Sequence, residues 1–558
     1  MISKPLAPKD PQEKRKGFYI FLDQQIGGIP QDDGSSKHPI YLDDNRLVTF
    51  AKIVGGIHDN KMLDMLTTAK DFKRLVHSIG VSVACEKADT PISLDIICYG
   101  KKNIYGGSSN HFVLNGNGAE QIIQLSNLDW SQDDDRLGQF LFELPTVKDI
   151  ASVTMKLYLN DGYDVEEVDP DPEIDFKSRE YAEMIARSFL SAGNNHRLKN
   201  VINKMKSGEK TTIAFIGGSI TQGAGAVPIQ ENCYSRKTFL VLKEKYGQNL
   251  EYIKVGVGGT PSELGMVRYD RDITRDGTIN PDLVIVEFAV NDASDETKGV
   301  CYESLVSKIW NKPNKPAIIL LFAVFADDWN LKDRLAPIGF RYQLPMVDVL
   351  DAVTPQFIKK RGEGLVLTKR QYFYDVYHPS NTGHQIMTDC LLYLIDRLDN
   401  QQHLPPINDN IPAVYGRDFE NICLLDRKDS FEKAKISQGS FTNTDSDLQS
   451  VPFDDKFENT PEFPYNWKKA KGDEPFVLQI ECSKLVLLFK DSASEEFGKA
   501  IVKIDDNNEF IIDPREAGWT HCHAKILFNS EITKKHKIEI NTIESDKTFT
   551  ILGFGYVN

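Results

Sequence analysis

From about residue 80 to 161 apolar and polar positions alternate in short runs, "VSVACEK", "ISLDIICYGK", "HFVLNG", "AEQIIQLSN", "GQFLFELP" and "SVTMKLYLND", separated by Gly, Asn and Asp turns. A period of two buries one face of a strand, so the region is predicted to be an antiparallel β-sandwich. Upstream, "HPIYL" and "RLVTFAKIVGG" are expected to add strands to the same domain. The acidic, proline-punctuated "DGYDVEEVDPDPEIDF" has no face to bury and reads as a solvated connector. Beyond it the period changes. "SREYAEMIARSFLSAG" and "NHRLKNVINKMKSG" carry helical apolar spacing, and the second ends in the glycine expected just past a helix. "TTIAFIGG", "LEYIKVGVGG", "PDLVIVEFAVND" and "KPAIILLFAVF" are compact apolar runs without alternation, interleaved with helix-like stretches such as "SRKTFLVLKEKYG" and "YESLVSKIW". Strands buried on both faces and alternating with helices predict a parallel α/β/α sheet. "GHQIMTDCLLYLIDRL" is the expected last helix, and "NQQHLPPINDNIP" a second linker. After about residue 420 the β signature returns in "FVLQIEC", "KLVLLFKDS", "KAIVKIDD", "HAKILFN", "KIEINTIE" and "TFTILGFGYVN". The fold class is therefore α/β, with three expected domains: an N-terminal jelly-roll-like β-sandwich (1–170), a central α/β/α domain (176–403) and a C-terminal β-sandwich (415–558).

Length supports that division, because 558 residues exceed what one hydrophobic core organises. A hydrophobic content of 41% and a charged content of 26% are those of ordinary globular protein and exclude wholesale disorder. The formal charge of −15 disfavours nucleic acid and anionic lipid as partners and suits a neutral small-molecule or oligosaccharide ester. Apolar runs are too short to span a bilayer, and "MISKPLAPKDPQEKRKGFYIFLDQQ" lacks the apolar segment of a signal peptide. A soluble cytoplasmic protein is the expectation. The 8 cysteines stand singly, without CxxC spacing, and are expected to be free thiols. Oligomeric state is not legible.

The stretch "TTIAFIGGSITQGAGA" joins a predicted strand to a burst of glycines. A P-loop needs GxxxxGK[ST], but no lysine follows until Lys237; a dinucleotide fold needs GxGxxG, whereas the glycines fall at 217, 218, 223 and 225. The remaining reading makes Ser219 a nucleophile at the carboxyl edge of the sheet, where ligands bind, with Gly217 and Gly218 leaving room for substrate and a helix start favouring negative charge. The motif is not the GxSxG elbow. A serine hydroxyl needs a base. "YFYDVYHPSNTGH" supplies Asp375 three residues before His378, a spacing that lets the carboxylate fix the imidazole tautomer. "VGVGGTPS" and "EFAVND" follow two other predicted strands and offer the Gly259 N–H and the Asn291 amide as oxyanion donors.

The ordered set "GGSITQG", "GVGGT", "AVND" and "DVYHPSNTGH" resembles the four blocks of the SGNH (GDSL-type) hydrolase family, in particular bacterial carbohydrate O-acetylesterases. The resemblance covers about residues 176–400. It implies Ser219 as nucleophile, Asp375 and His378 as orienting acid and general base, and an oxyanion hole made by the Ser219 N–H, the Gly259 N–H and Asn291. Gly258 rivals Gly259 as donor. Three positions depart from the family pattern: Gly218 replaces the aspartate of GDS, Ala289 a glycine, and Lys254 an asparagine. The "GGS" form is similar to members that act on carbohydrate esters. The function implied is a serine esterase that removes small acyl groups, acetyl above all, without cofactor or metal. The alternatives are a lipase or thioesterase for longer chains, or a carbohydrate-binding protein with a relic catalytic domain. His384 is expected to support the last helix, His521 and His523 to share a strand face, "SQDDDR" at 131–136 to be a solvated turn, and Trp329 to be an ordinary half-buried tryptophan.

Overall fold

The computed structural model describes residues 15–558 apart from 32, 88–89, 103, 167, 169–170, 361, 429–432 and 506–507. The chain forms two compact units, Met1–Pro172 with Tyr374–Val376, and Glu173–Phe373 with Tyr377–Asn558.

The first unit holds two antiparallel sheets. One runs in the order Gly17–Gly27, Ile150–Leu159, Val76–Cys85, Gln121–Gln124. The other runs Ile29–Pro30, Ser36–Tyr41, Asp134–Glu143, Pro91–Gly100, Ser109–Asn115. Alternation does what period two requires: Ile92, Leu94 and Ile96 are buried while Ser93, Asp95 and Ile97 are half-buried. Buried residues of both sheets form one hydrophobic cluster, with Phe21, Phe140 and Val153 among them. "HPIYL" is in a strand as expected, but "RLVTFAKI" is the helix Arg46–Ile53. Its buried residues, Leu47, Phe50 and Ala51, are three and four apart, so the helical period outweighed the β-branched content. At "SQDDDR", Asp134 is buried and its carboxylate accepts from Ser108 N, Ser108 Oγ and Ser131 N. In Tyr374–Val376, the Tyr374 hydroxyl hydrogen bonds with His38 Nε2 at 2.7 Å.

The second unit is built on a six-stranded sheet in the order Phe189–Ser191, Met346–Asp348, Ala317–Phe322, Leu283–Glu287, Thr211–Gly217, Leu250–Gly256. All pairings are parallel except that of Phe189–Ser191. Every residue of Thr211–Gly217, Leu283–Glu287 and Ala317–Phe322 is buried, as two-sided helix cover requires. The two three-residue strands carry too few positions for a period, and the first follows directly on the helix Arg179–Ala186. After Thr211–Gly217 the chain adds a strand on one side and then crosses to the other, so the topological switch lies at the carboxyl end of that strand. The helix Asn381–Asp399 closes the α/β part.

The rest of the second unit is an eight-stranded sheet with the long strands Phe476–Asp491 and His521–Thr542 at its centre, beside the small hairpin Ser450–Pro452 and Asn459–Pro461. Its two faces serve two cores. Val486, Leu488 and Leu552 join the cluster that contains Ile216, Val286 and Phe288 of the α/β part, whereas Leu485, Leu487 and Phe489 pack with Trp467 and Phe554. Among the described residues no helix is long and apolar enough to cross a membrane. All 8 cysteines are free.

Candidate active site

Gly217 is paired in register with Gly256 on one side and with Glu287 on the other. The three strands therefore end level, and the loops that leave them, carrying Ser219, Gly258–Gly259 and Asn291, emerge at one edge at the topological switch. Ser219 opens the single turn Ser219–Gln222. His378 lies in the loop before Asn381–Asp399, with its Nε2 2.9 Å from Ser219 Oγ. That loop is closed at its base by the Phe373–Pro379 bridge and by Ser380 N donating to Tyr372 O at 2.7 Å, and Asp375 is on the same loop.

The glycines serve a purpose different from the one expected. A Cβ on Gly218 would overlap Asn291 Oδ1 and lie 2.5 Å from Asn291 Cγ, and one on Gly217 would strike Thr221 and the Glu287 carbonyl. The space beside Ser219 is thus filled by the protein's own polar groups, and Gly218 is what lets the Asn291 side chain lie against the nucleophile turn. Asn291 is itself held by its neighbour: the buried Asp292 carboxylate accepts from Ser262 N at 2.7 Å and Ser262 Oγ at 2.8 Å. Burial, aided by Asp295, pushes Asp292 up to about 8.

Gly258 and Gly259 differ sharply. Gly258 N–H donates to Gln222 Oε1 at 3.0 Å, whereas Gly259 N–H has no acceptor among the described residues. At Gly259 φ is +72°, and a Cβ there would meet His521, the first residue of the strand His521–Thr542, and Trp519 just before it. Trp519 is 44% exposed and its ring centroid lies 4.5 Å from that of His521, so an apolar plate borders the glycine loop. Burial pushes His521 down to about 4. The rings of His378, Tyr377, Phe325 and Trp329 adjoin in series.

Several groups that the motifs did not reveal hold this edge together. Glu287, fully buried under the turn, accepts from Thr221 Oγ1 at 3.0 Å, and burial pushes it up to about 8. Its signal was in plain view as the one charge inside "DLVIVEF" that lies within the strand. The buried Arg268 donates to Gly217 O and Val255 O, both at 2.9 Å, tying the ends of two adjacent strands. Lys254 donates to Gln222 O at 2.9 Å, which gives the lysine at that departure from the family pattern a place. His384 supports the site from the last helix: Tyr234 N donates to its Nδ1, and its Nε2 lies 3.0 Å from Ala224 O, while burial drives it down to about 3.

Glu263, Asp295 and Cys301 are the candidate metal-ligating cluster among the described residues. Asp295 already accepts from Thr297 N, Thr297 Oγ1 and Gly299 N. Burial, with Asp295 beside it, pushes Glu263 up to about 9, while Glu263 Oε1 accepts from Glu296 N at 3.0 Å. A cavity of about 400 Å³ lined by Arg197, Trp310 and Pro345 opens at the amino ends of the strands, the edge opposite Ser219.

Residues 215–386 match the model of the GDSL-like Lipase/Acylhydrolase family. This segment is similar to GDSL-like lipase/acylhydrolase domains. No curated protein matches the chain. Among solved structures, a two-domain esterase (CEX) active on acetylated mannans aligns at a TM-score of 0.58 and 24% identity, over 67% of this chain and 99% of that one. The same esterase co-crystallised with mannopentaose aligns at 0.57 and 24%, over 67% and 98%. At this identity the likeness is one of fold. The matched segment contains Ser219, Gly258, Gly259, Asn291, Asp375 and His378.

Proposed function

We propose that the GDSL-like domain is a serine esterase that removes small acyl groups, acetyl in the first instance, from carbohydrate esters. The observation that carries the reading is the 2.9 Å approach of His378 Nε2 to Ser219 Oγ at the switch point of a parallel sheet. In this mechanism His378 takes the Ser219 proton as Oγ attacks the ester carbonyl, and Asp375 fixes the imidazole tautomer. The negative charge that develops on the carbonyl oxygen is met by the Ser219 N–H, the Gly259 N–H and the Asn291 side-chain amide. Collapse of the tetrahedral intermediate expels the alcohol with the proton from His378. Water, activated by the same histidine, then releases the acid from the acyl-enzyme. No metal or cofactor enters these steps.

Choice of Gly259 over Gly258 rests on the donation of Gly258 N–H to Gln222. The sugar preference draws on the fold shared with an esterase active on acetylated mannans and on the exposed Trp519 beside the glycine loop. We read the flanking regions, 1–170 and 415–558, as β-sandwich domains around the esterase domain 176–403.

Mass-spectrometric screening of acetylated manno-, xylo- and xyloglucan oligosaccharides, with Ser219→Ala as control, tests the reading. Loss of acetyl groups with the parent and none with the variant is expected. Faster turnover of p-nitrophenyl octanoate than of the acetate would replace it with the long-chain alternative, and no difference between parent and Ser219→Ala on any ester would leave a binding protein.

A further inference from the structure

The Gly258–Gly259 peptide is gripped from the C-terminal region by one side chain. Gln449 is buried, and its Nε2 donates to Gly258 O at 2.8 Å. Its Oε1 accepts from Cys522 N at 2.9 Å, and since a backbone N–H can only donate, that contact fixes which end of the amide is oxygen and which is nitrogen. The residue has little freedom to wander: Glu462 N donates to Gln449 O, Glu462 pairs with Arg271, and the hairpin Ser450–Pro452 begins at the next position.

A trans peptide is planar, with its C=O and N–H pointing in opposite directions. Holding Gly258 O toward Gln449 therefore aims Gly259 N–H the other way. The preceding peptide is held as well, by Gly258 N–H donating to Gln222 Oε1 three residues after Ser219. Both glycines lack the side-chain restraint that would otherwise fix such a peptide, and Gly259 is in the left-handed region where rotation is easy. Donation to the carbonyl also polarises the peptide and strengthens its N–H as a donor.

On the esterase reading above, we infer that Gln449 is a positioning residue for the oxyanion hole: it orients the Gly258–Gly259 peptide so that Gly259 N–H faces the carbonyl oxygen of the ester. The C-terminal region is then part of the catalytic apparatus although its glutamine touches no substrate atom. This accounts for a buried polar bridge where an apolar contact would have sufficed to join the two sheets.

Gln449→Glu keeps the acceptor for Cys522 N and removes the donor to Gly258 O; Gln449→Met, similar in volume, removes both. The readouts are kcat and KM on p-nitrophenyl acetate, melting temperature, active-site titration with diethyl p-nitrophenyl phosphate, and inhibition by methylboronic acid, whose adduct with Ser219 places a charged oxygen in the hole. Losing one oxyanion donor outright costs about 10²- to 10³-fold in kcat. Loosening one is expected to cost about 10- to 100-fold per titrated site, with KM within about threefold and the boronate inhibition constant rising in step. A glutamine that merely glued the two sheets would lower the titrated fraction while leaving the boronate constant unchanged, and that result overturns the inference. So does parental kcat in Gln449→Glu or, should that variant not fold, in Gln449→Met. A parent without esterase activity or boronate inhibition would instead remove the esterase reading itself, and this inference with it.

Discussion

Gly218→Ala tests the site without touching any residue assigned a chemical role. At φ −90° and ψ −145° the residue is outside the left-handed region that calls for glycine. The obstacle is Asn291, because the new methyl would overlap Oδ1 and stand 2.5 Å from Cγ and 2.9 Å from Nδ2, where about 3.5 Å is needed. The amide must retreat by about 1 Å, and a misplacement of that size is worth about 10²-fold in rate. Asn291→Ala, which deletes the donor, is expected to lower kcat by about 10²- to 10³-fold, or about 2.7–4 kcal/mol of barrier. If both substitutions act through one amide, their effects do not multiply. Gly218→Ala added to Asn291→Ala finds the space vacated and costs little more, leaving the double variant at about 10²- to 10³-fold rather than 10⁴ or beyond. kcat/KM on p-nitrophenyl acetate for the four proteins closes the cycle, and melting temperatures check that each is folded. Full multiplication of the two effects, or parental activity in Gly218→Ala, would refute the assignment of Asn291 to the oxyanion hole.

Two further outcomes follow from the same edge of the sheet. Glu287 is pushed by burial from an ordinary value of 4.5 to about 8. Between those values the unfolded chain has released a proton that the folded protein still holds, so the stability contributed by this group falls as pH rises through the window. Glu287→Gln removes that dependence: the melting temperature of the parent relative to the variant should drop between about pH 5 and pH 8.5, and a pH-independent gap in a thermal-shift series would contradict the neutral carboxyl. Trp519→Ala removes the exposed plate beside Gly259, and is expected to raise KM for an acetylated oligosaccharide several-fold while kcat on p-nitrophenyl acetate stays within about threefold. Equal effects on the two substrates would mean that the ring braces the loop rather than meeting sugar.

Local patterns revealed whatever was local. The all-buried strands of the parallel sheet stand out as unbroken apolar runs, and Ser219 and His378, 159 positions apart, were paired through motifs that each belong to one strand end or one loop. Where the signal depended on partners it was weaker. Phe189–Ser191 and Met346–Asp348 have three residues each, and they become strands by pairing with each other and, for the second, with Ala317–Phe322. Gln449 meets Gly258 across 191 positions, in a stretch whose composition says only that it is polar. The strand "KLVLLFKD" shows why the boundary between the α/β and C-terminal regions is hard to see in a sequence. Its near-continuous apolar run looks like one sandwich strand, yet Val486 and Leu488 serve a core shared with the catalytic sheet while Leu485, Leu487 and Phe489 serve another. A strand that must satisfy two cores loses its alternation, and in doing so it fixes the sheet that carries Trp519, His521 and the Cys522 N–H against the glycine loop. Substitutions in that shared core should therefore reach the oxyanion donors, because the same packing that joins the regions also sets the position of Gln449.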